Sequence, residues 1–200
     1  MKSIKNPNHP QKGSSITVQP IRCLKDIKAI SKLTSSNPRN HLLFVMGVNN
    51  GLRCGDLLKL KVKDVSHLKV GDILQIRESK TKKMNVLVIN KAVSKALKKY
   101  TKELNPNEDQ YLFYSRKGDG PLSIQSVNRL IKEWATSIHL KGNYGAHSLR
   151  KTWGYIQRVE HGVGYEIIAK RFNHSNPSVT MRYLGIEDRE VHKTLMTEIG

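Results

Sequence analysis

Arg53, Lys80, His147, Arg150, His174 and Tyr183 are spread over about 130 residues, each in a segment with its own local pattern. The set constrains the fold more than any single pattern does. A chain that uses these groups together must bring residues 51–56, 79–83, 147–150 and 173–183 to one point. Singly they are ordinary side chains. In combination they are a phenol, two guanidinium groups, a lysine and two histidines, the groups needed to break a phosphodiester.

Cleaving such a bond requires charge to be stabilised on the non-bridging phosphate oxygens, chiefly by positioned electrostatics. Arg53 and Arg150 suit this because a guanidinium stays protonated and donates paired, charge-assisted hydrogen bonds. His147 and Arg150 are three residues apart, so on a helix they share a face. With two such cations and no dense Asp/Glu cluster in the sequence, the chemistry is expected to need neither metal nor cofactor. Tyr183 lies nine residues after His174. A phenol can serve as a nucleophile, and its ester would conserve the bond energy for rejoining.

Charge points to the same class of partner. The chain of 200 residues carries a formal net charge of +19, with 38% hydrophobic and 26% charged residues. That size is one ordinary domain. Between Arg53 and Lys102 there are 14 Lys/Arg against Asp56, Asp64, Asp72 and Glu78. Self-repulsion on that scale implies a polyanionic partner, and nucleic acid fits because basic side chains release counterions from phosphates. No apolar run approaches the roughly 18 residues of a membrane span. The basic N-terminus lacks the apolar core of a secretory signal. Cys23 and Cys54 have no zinc spacing and read as reduced thiols, so a cytoplasmic protein is expected, nucleoid-associated when bound to DNA.

Residues 1–20 contain Pro7, Pro10, Gly13 and Pro20 with little apolar content, the composition of a flexible arm or linker. Leu24, Ile27, Ile30 and Leu33 predict an amphipathic helix. A buried helix is expected over residues 41–49, ended at Gly51. Residues 73–76 and 85–89 bracket a basic tip and predict a β-hairpin. The alternation in residues 58–62 predicts a third strand beside it. Helices are expected over residues 91–103, from the Ser123 cap to about residue 138, over 147–160 and over 165–172. Asn176-Pro177 supplies an N-cap and first-turn proline for a helix carrying Tyr183. A last short helix is expected over residues 187–199.

The segments Gly51-Leu52-Arg53-Cys54-Gly55-Asp56, Glu78-Ser79-Lys80-Thr81-Lys82, Ala146-His147-Ser148-Leu149-Arg150-Lys151-Thr152 and Asn173-His174-Ser175 through Tyr183-Leu184-Gly185 carry a specific resemblance. In that order they resemble the catalytic domain of the tyrosine recombinases, the phage integrase family. The resemblance implies an α+β, mainly helical fold with a small antiparallel three-stranded sheet. It implies a site-specific recombinase or integrase that cuts and rejoins DNA through a 3′-phosphotyrosine without metal or ATP.

It also assigns roles. Tyr183 attacks the phosphate, His147 assists with its proton, and Lys80 protonates the leaving 5′-oxygen. Arg53 and Arg150 clamp the phosphate, and His174 donates to it. Asp56 orients the arginine or histidine side chains. Lys82, Lys83, Lys151 and Arg182 flank these groups and are expected to contact DNA. Where the family more often has glycine before His174, this chain has Asn173, the next best residue for a left-handed helix end.

The expected domain is residues 21–200, with no recognisable N-terminal core-binding domain in this sequence. Expected partners are double-stranded DNA, further copies of the chain as a dimer or tetramer on DNA, and an accessory DNA-bending protein, with no membrane. The residues after Tyr183 would pack on their own domain or on a neighbouring protomer. Two other readings share the residues: a type IB topoisomerase-like enzyme, and a catalytically silent DNA-binding regulator of the same fold.

Overall fold

The computed structural model describes residues 17–185 together with Leu195, Met196 and Glu198. Most of the expected arm (residues 1–16) and most of the expected last helix lie outside the described residues. Residues 17–20, assigned to the arm, instead run along the body: the Gln19 amide donates to the Asn143 carbonyl at 2.8 Å. The Ile21 amide then donates to Thr152 Oγ1 at 2.8 Å, which seats Ile21 in the core.

Helix α1 (Leu24–Thr34) has Asp26 in its first turn and Lys32 in its last, matching the helix dipole. Ile30 is buried and Ile27 packs against the core, whereas Leu24 and Leu33 are each 42% exposed. Helix α2 (Pro38–Asn50) starts three residues before its expected position. The Asn37 side chain accepts from the Asn40 amide and Pro38 fills the first turn. The helix is almost wholly buried and packs against α1, the later helix α4 (Lys91–Leu104) and α6 (Ala146–Val159). Gly51 ends it with φ 58°. A Cβ there would meet the Trp153 ring at 2.6 Å, so both backbone and packing require glycine.

Residues 58–62 form no strand. The one-turn helix α3 (Cys54–Leu57) is followed by a 3₁₀ turn, Val62–Asp64. Asp64 Oδ2 accepts the Lys61 amide and bends the chain. The alternation records burial of Leu58, Leu60 and Val62 in the core, while the backbone meets residues 108–112 through single bonds such as Leu112 N to Leu60 O at 2.8 Å. Among the described residues the sheet therefore has two strands, β1 (Ile73–Arg77) and β2 (Met84–Val88), antiparallel with Leu74 opposite Leu87 and Ile76 opposite Asn85. Leu87 and Ile76 are buried while Ile73 and Val88 face outward, the two-residue alternation of a strand with one wet face.

The remaining helices arise as their caps dictate. Asn90 caps α4, and Asn105 ends it at φ 40°. Ser123 caps α5 (Ile124–Ser137). Helices α7 (Tyr165–Phe172) and α8 (Pro177–Leu184) are joined through Asn173, whose φ of 54° is the left-handed helix end expected of it. Two hydrophobic clusters result among the described residues. The larger unites α2, α4, α5 and the buried face of the hairpin. The smaller gathers Ile168, Phe172 and Leu184 with Trp153 and Tyr183, and the candidate site is built on it. No helix among the described residues is long and apolar enough to cross a membrane.

Candidate active site

Arg53 is the residue that caps α3, so its backbone is fixed between α2 and that short turn. Its Nη1 donates to Glu78 Oε2, a buried ion pair at the base of the hairpin tip. Asp56 lies three residues on and points at the same tip. Its Oδ1 accepts from the Ser79 amide at 2.9 Å and the Ser79 hydroxyl at 2.7 Å. Asp56 thus pins the hairpin rather than hydrogen-bonding an arginine or histidine. Lys80, exposed at the tip, follows a residue pinned by Asp56 and precedes Thr81, whose hydroxyl donates to Glu78 Oε2. One short turn therefore positions Arg53 and, through the tip backbone, Lys80.

Arg150 lies on α6 with 2% of its surface exposed. Its Nη1 donates to the Gly51 carbonyl at 2.9 Å and its Nη2 to the Phe172 carbonyl at 2.7 Å. Both acceptors are at helix C-termini, where the dipole is negative. The guanidinium stacks 4.3 Å from the Phe172 ring centroid, and its Nη1 is 3.9 Å from Glu78 Oε1. Burial lowers its pKa to about 10, which leaves it charged at neutral pH. His147, one turn earlier on α6, is exposed. Partial burial, then the charges of Arg150, Arg53, Lys80 and Lys151, lower its pKa.

Phe172 is the platform for the rest. The His174 ring is 5.2 Å and the Tyr183 ring 5.5 Å from it, and His174 and Tyr183 are 5.2 Å apart, edge to face. His174 Nδ1 lies 2.9 Å from Thr180 Oγ1 on α8. Burial, followed by the charges of Arg150 and Arg53, pushes His174 down to about 4. It is neutral at physiological pH. Burial raises the Tyr183 phenol while the positive charges of Arg150 and Arg53 oppose that rise.

Four expected residues, Arg53, Arg150, His174 and Tyr183, thus converge through Glu78 and Phe172, and the charges of Arg150, Arg53 and Lys80 all reach His147. The outer cations divide. Lys82, Lys83 and Arg182 are exposed. Lys151, expected on the DNA-contacting surface, is 7% exposed with its ammonium 4.8 Å from the Tyr183 ring centroid. Burial lowers its pKa.

Sequence reasoning gave no role to Glu78, Thr180 or the Phe172 platform. Glu78 could have been found as the single acidic residue of the basic run 77–83. It is fully buried, and although burial raises its pKa, hydrogen bonds from Thr81, Asn85 and Arg53 bring it down to about 2.

A sequence model described as the Phage integrase family matches residues 23–190. The probable integrase/recombinase YoeC of Bacillus subtilis (strain 168) is 40% identical over 174 residues, 86% of this chain and 91% of that protein. Among solved structures, XerA recombinase matches with a TM-score of 0.72 and 21% identity, over 90% of this chain and 67% of the other. XerH bound to palindromic difH substrate in a post-cleavage complex matches at 0.71 and 20% identity, over 94% and 55%. At such identities the structures speak for the fold alone. Other relatives are longer, and the chain spans 56% and 64% of two of them. With the family model covering most of the chain and a relative at 40% identity, the chain belongs to the phage integrase family and is a tyrosine recombinase catalytic domain.

Proposed function

We propose that this domain cuts and rejoins double-stranded DNA at specific sites with Tyr183 as the nucleophile. The phenol oxygen forms a bond to the scissile phosphorus and the bond to the 5′-oxygen breaks. A 3′-phosphotyrosine and a free 5′-hydroxyl result, and reversal by a 5′-hydroxyl rejoins strands. Arg53 and Arg150 neutralise the non-bridging oxygens. A neutral His174 whose Nδ1 accepts from Thr180 keeps its proton on Nε2, free to donate to the phosphate. His147, with its lowered pKa, accepts the phenol proton. Lys80, on its pinned tip, supplies a proton to the leaving 5′-oxygen. Asp56 holds that tip. Lys82, Lys83 and Arg182 meet the DNA backbone, while Lys151 acts at Tyr183 instead.

The observation that carries this reading is the packing of Tyr183 and His174 on Phe172, the same ring on which Arg150 stacks. A core tyrosine has no need of buried guanidinium charge nearby. The functional unit is residues 21–200, working as a dimer or tetramer on DNA, with an accessory bending protein as a further partner.

The test is to mix the protein with fragmented DNA from the organism that encodes it, quench with detergent, and sequence the protein-linked 3′ ends. Ends clustered at a few sites, and none with Tyr183→Phe, are expected. An adduct persisting in the variant rules out the assigned nucleophile. Ends scattered without site preference would favour the topoisomerase-like reading, and binding without any adduct the silent regulator.

A further inference from the structure

Glu78 is a fully buried carboxylate among the cations of the site, and strand cleavage as described assigns it no step. Its oxygens are divided. Oε2 accepts from Arg53 Nη1 and Thr81 Oγ1; Oε1 accepts from Asn85 Nδ2 at 2.8 Å and lies 3.9 Å from Arg150 Nη1. Arg171, the last basic residue of α7, donates to Asn85 Oδ1 at 2.6 Å, and the Glu78 charge also favours its protonated form. Arg53, at the start of α3, and Arg150 of α6 therefore face one buried carboxylate, and Arg171 of α7 is linked to it through Asn85. Two guanidinium groups that share one buried carboxylate repel each other, and removing that anion would leave them uncompensated.

We infer that Glu78 is a positioning residue for strand cleavage: its carboxylate holds the Arg53 guanidinium by one edge, beside Arg150, leaving the remaining N–H groups of both for the scissile phosphate. This rests on the reading of Tyr183 as nucleophile. Arg150 is fixed by the Gly51 and Phe172 carbonyls. Among the described residues the Arg53 guanidinium makes no hydrogen bond besides the one to Glu78, so Glu78 is what sets its direction. The carboxylate itself is held from two sides, by Thr81 of the tip and Asn85 of β2. The Glu78 backbone is bonded in the hairpin as well, its amide to the Lys83 carbonyl and its carbonyl to the Lys82 amide, both at 2.9 Å. A side chain fixed in this way does not swing aside when a phosphate arrives. It acts as a fixed counter-ion, not as a latch that must release Arg53. The Thr81 bond also spans Lys80, so the same carboxylate ties the proposed proton donor to the phosphate clamp.

The experiment compares wild type, Glu78→Gln, Glu78→Asp and Tyr183→Phe on a nicked duplex built from a mapped site. Single-turnover adduct formation, DNA affinity and thermal unfolding are read for each. Glu78→Gln is expected to slow adduct formation by about a hundredfold, the order that an ångström of misplacement costs. Its DNA affinity should stay within about threefold, since affinity comes from many phosphate contacts. Glu78→Asp, which restores the charge, should recover most of the rate. An unchanged rate in Glu78→Gln overturns the inference, and a faster one makes Glu78 a latch and overturns it too. Loss of rate, affinity and thermal stability together, without recovery by Asp, reduces Glu78 to a structural ion pair and also overturns it. Nitrogen NMR of the Arg53 guanidinium decides independently of turnover. Separate, slowly exchanging Nη signals are expected in wild type and averaged ones in Glu78→Gln; averaged signals in both overturn the inference. Absence of adduct from wild type would count against Tyr183 chemistry, while the NMR comparison would still decide whether Glu78 holds Arg53.

Discussion

A guanidinium with 2% of its surface exposed keeps its charge only if its hydrogen bonds are met, and Arg150 meets this with two helix-end carbonyls. Lysine has no planar fork to reach both. Arg150→Lys should lower stability by about 2–3 kcal/mol, the worth of hydrogen bonds to a charged group, and abolish detectable adduct; a urea titration beside the adduct assay checks both. The histidines set the pH response. Folded His174 stays neutral down to about 4, whereas its unfolded reference value is 6.5. Between those values the unfolded chain binds the extra proton, so stability is full above 6.5 and falls as pH drops toward 4. His147 is shifted in the same direction. Glu78, lowered from 4.5 to about 2, adds stability present above 4.5 and lost as pH falls through 2. Urea midpoints should therefore decline on acidification in two stages. His174→Gln should flatten the first stage, and an unchanged profile in that variant would remove His174 as its cause.

At the scale of elements, the site depends on how closely α6 approaches α7 and α8. A Cβ on Gly154 would lie 2.8 Å from Phe172 Cζ and 2.9 Å from Leu184 Cδ2. Gly154→Ala should displace the platform under Arg150, His174 and Tyr183, at a cost of about 1–3 kcal/mol for overpacking, with a larger fractional loss of cleavage than of DNA binding. The hairpin tip is a separate lever. Asp56→Ala removes the acceptor for both Ser79 bonds, so amide hydrogen exchange at residues 78–83 should speed up while α2 and α4 keep their protection. The helices after Ser123 and Asn176 were legible because a cap is a local contest the sequence records. Asn37-Pro38 carries the same signal as Asn176-Pro177 and placed the start of α2 earlier than apolar periodicity did. The third strand failed for a physical reason. Alternation reports which side chains are buried, and residues 58–62 bury theirs in the core while their backbone meets residues 108–112 in only an isolated bridge.

For the whole molecule, the net charge of +19 makes DNA affinity a function of salt. A protein neutralising six to ten phosphates loses about 10³–10⁵ in affinity between ~50 and ~200 mM salt. A comparably steep line is expected here, with Lys82→Ala or Lys83→Ala making it shallower by roughly one contact each. Lys151→Ala should leave the slope unchanged and alter the adduct rate, because its ammonium faces the Tyr183 ring. Parallel salt plots for Lys151→Ala and Lys83→Ala would contradict that division.

The sequence by itself determined which groups are the candidates: the residue types of Arg53, Lys80, His147, Arg150, His174 and Tyr183, their order, and the Asn176 cap of the helix that carries Tyr183. These are fixed by covalent identity and by interactions within a few residues. Only the tertiary structure decided the roles that depend on what surrounds a group. It put Lys151 under Tyr183 rather than on the surface, turned Asp56 toward the hairpin, and placed Glu78 between Arg53 and Arg150. Burial and long-range partners set the charge state and direction of a side chain, and neither is encoded in its neighbours along the chain.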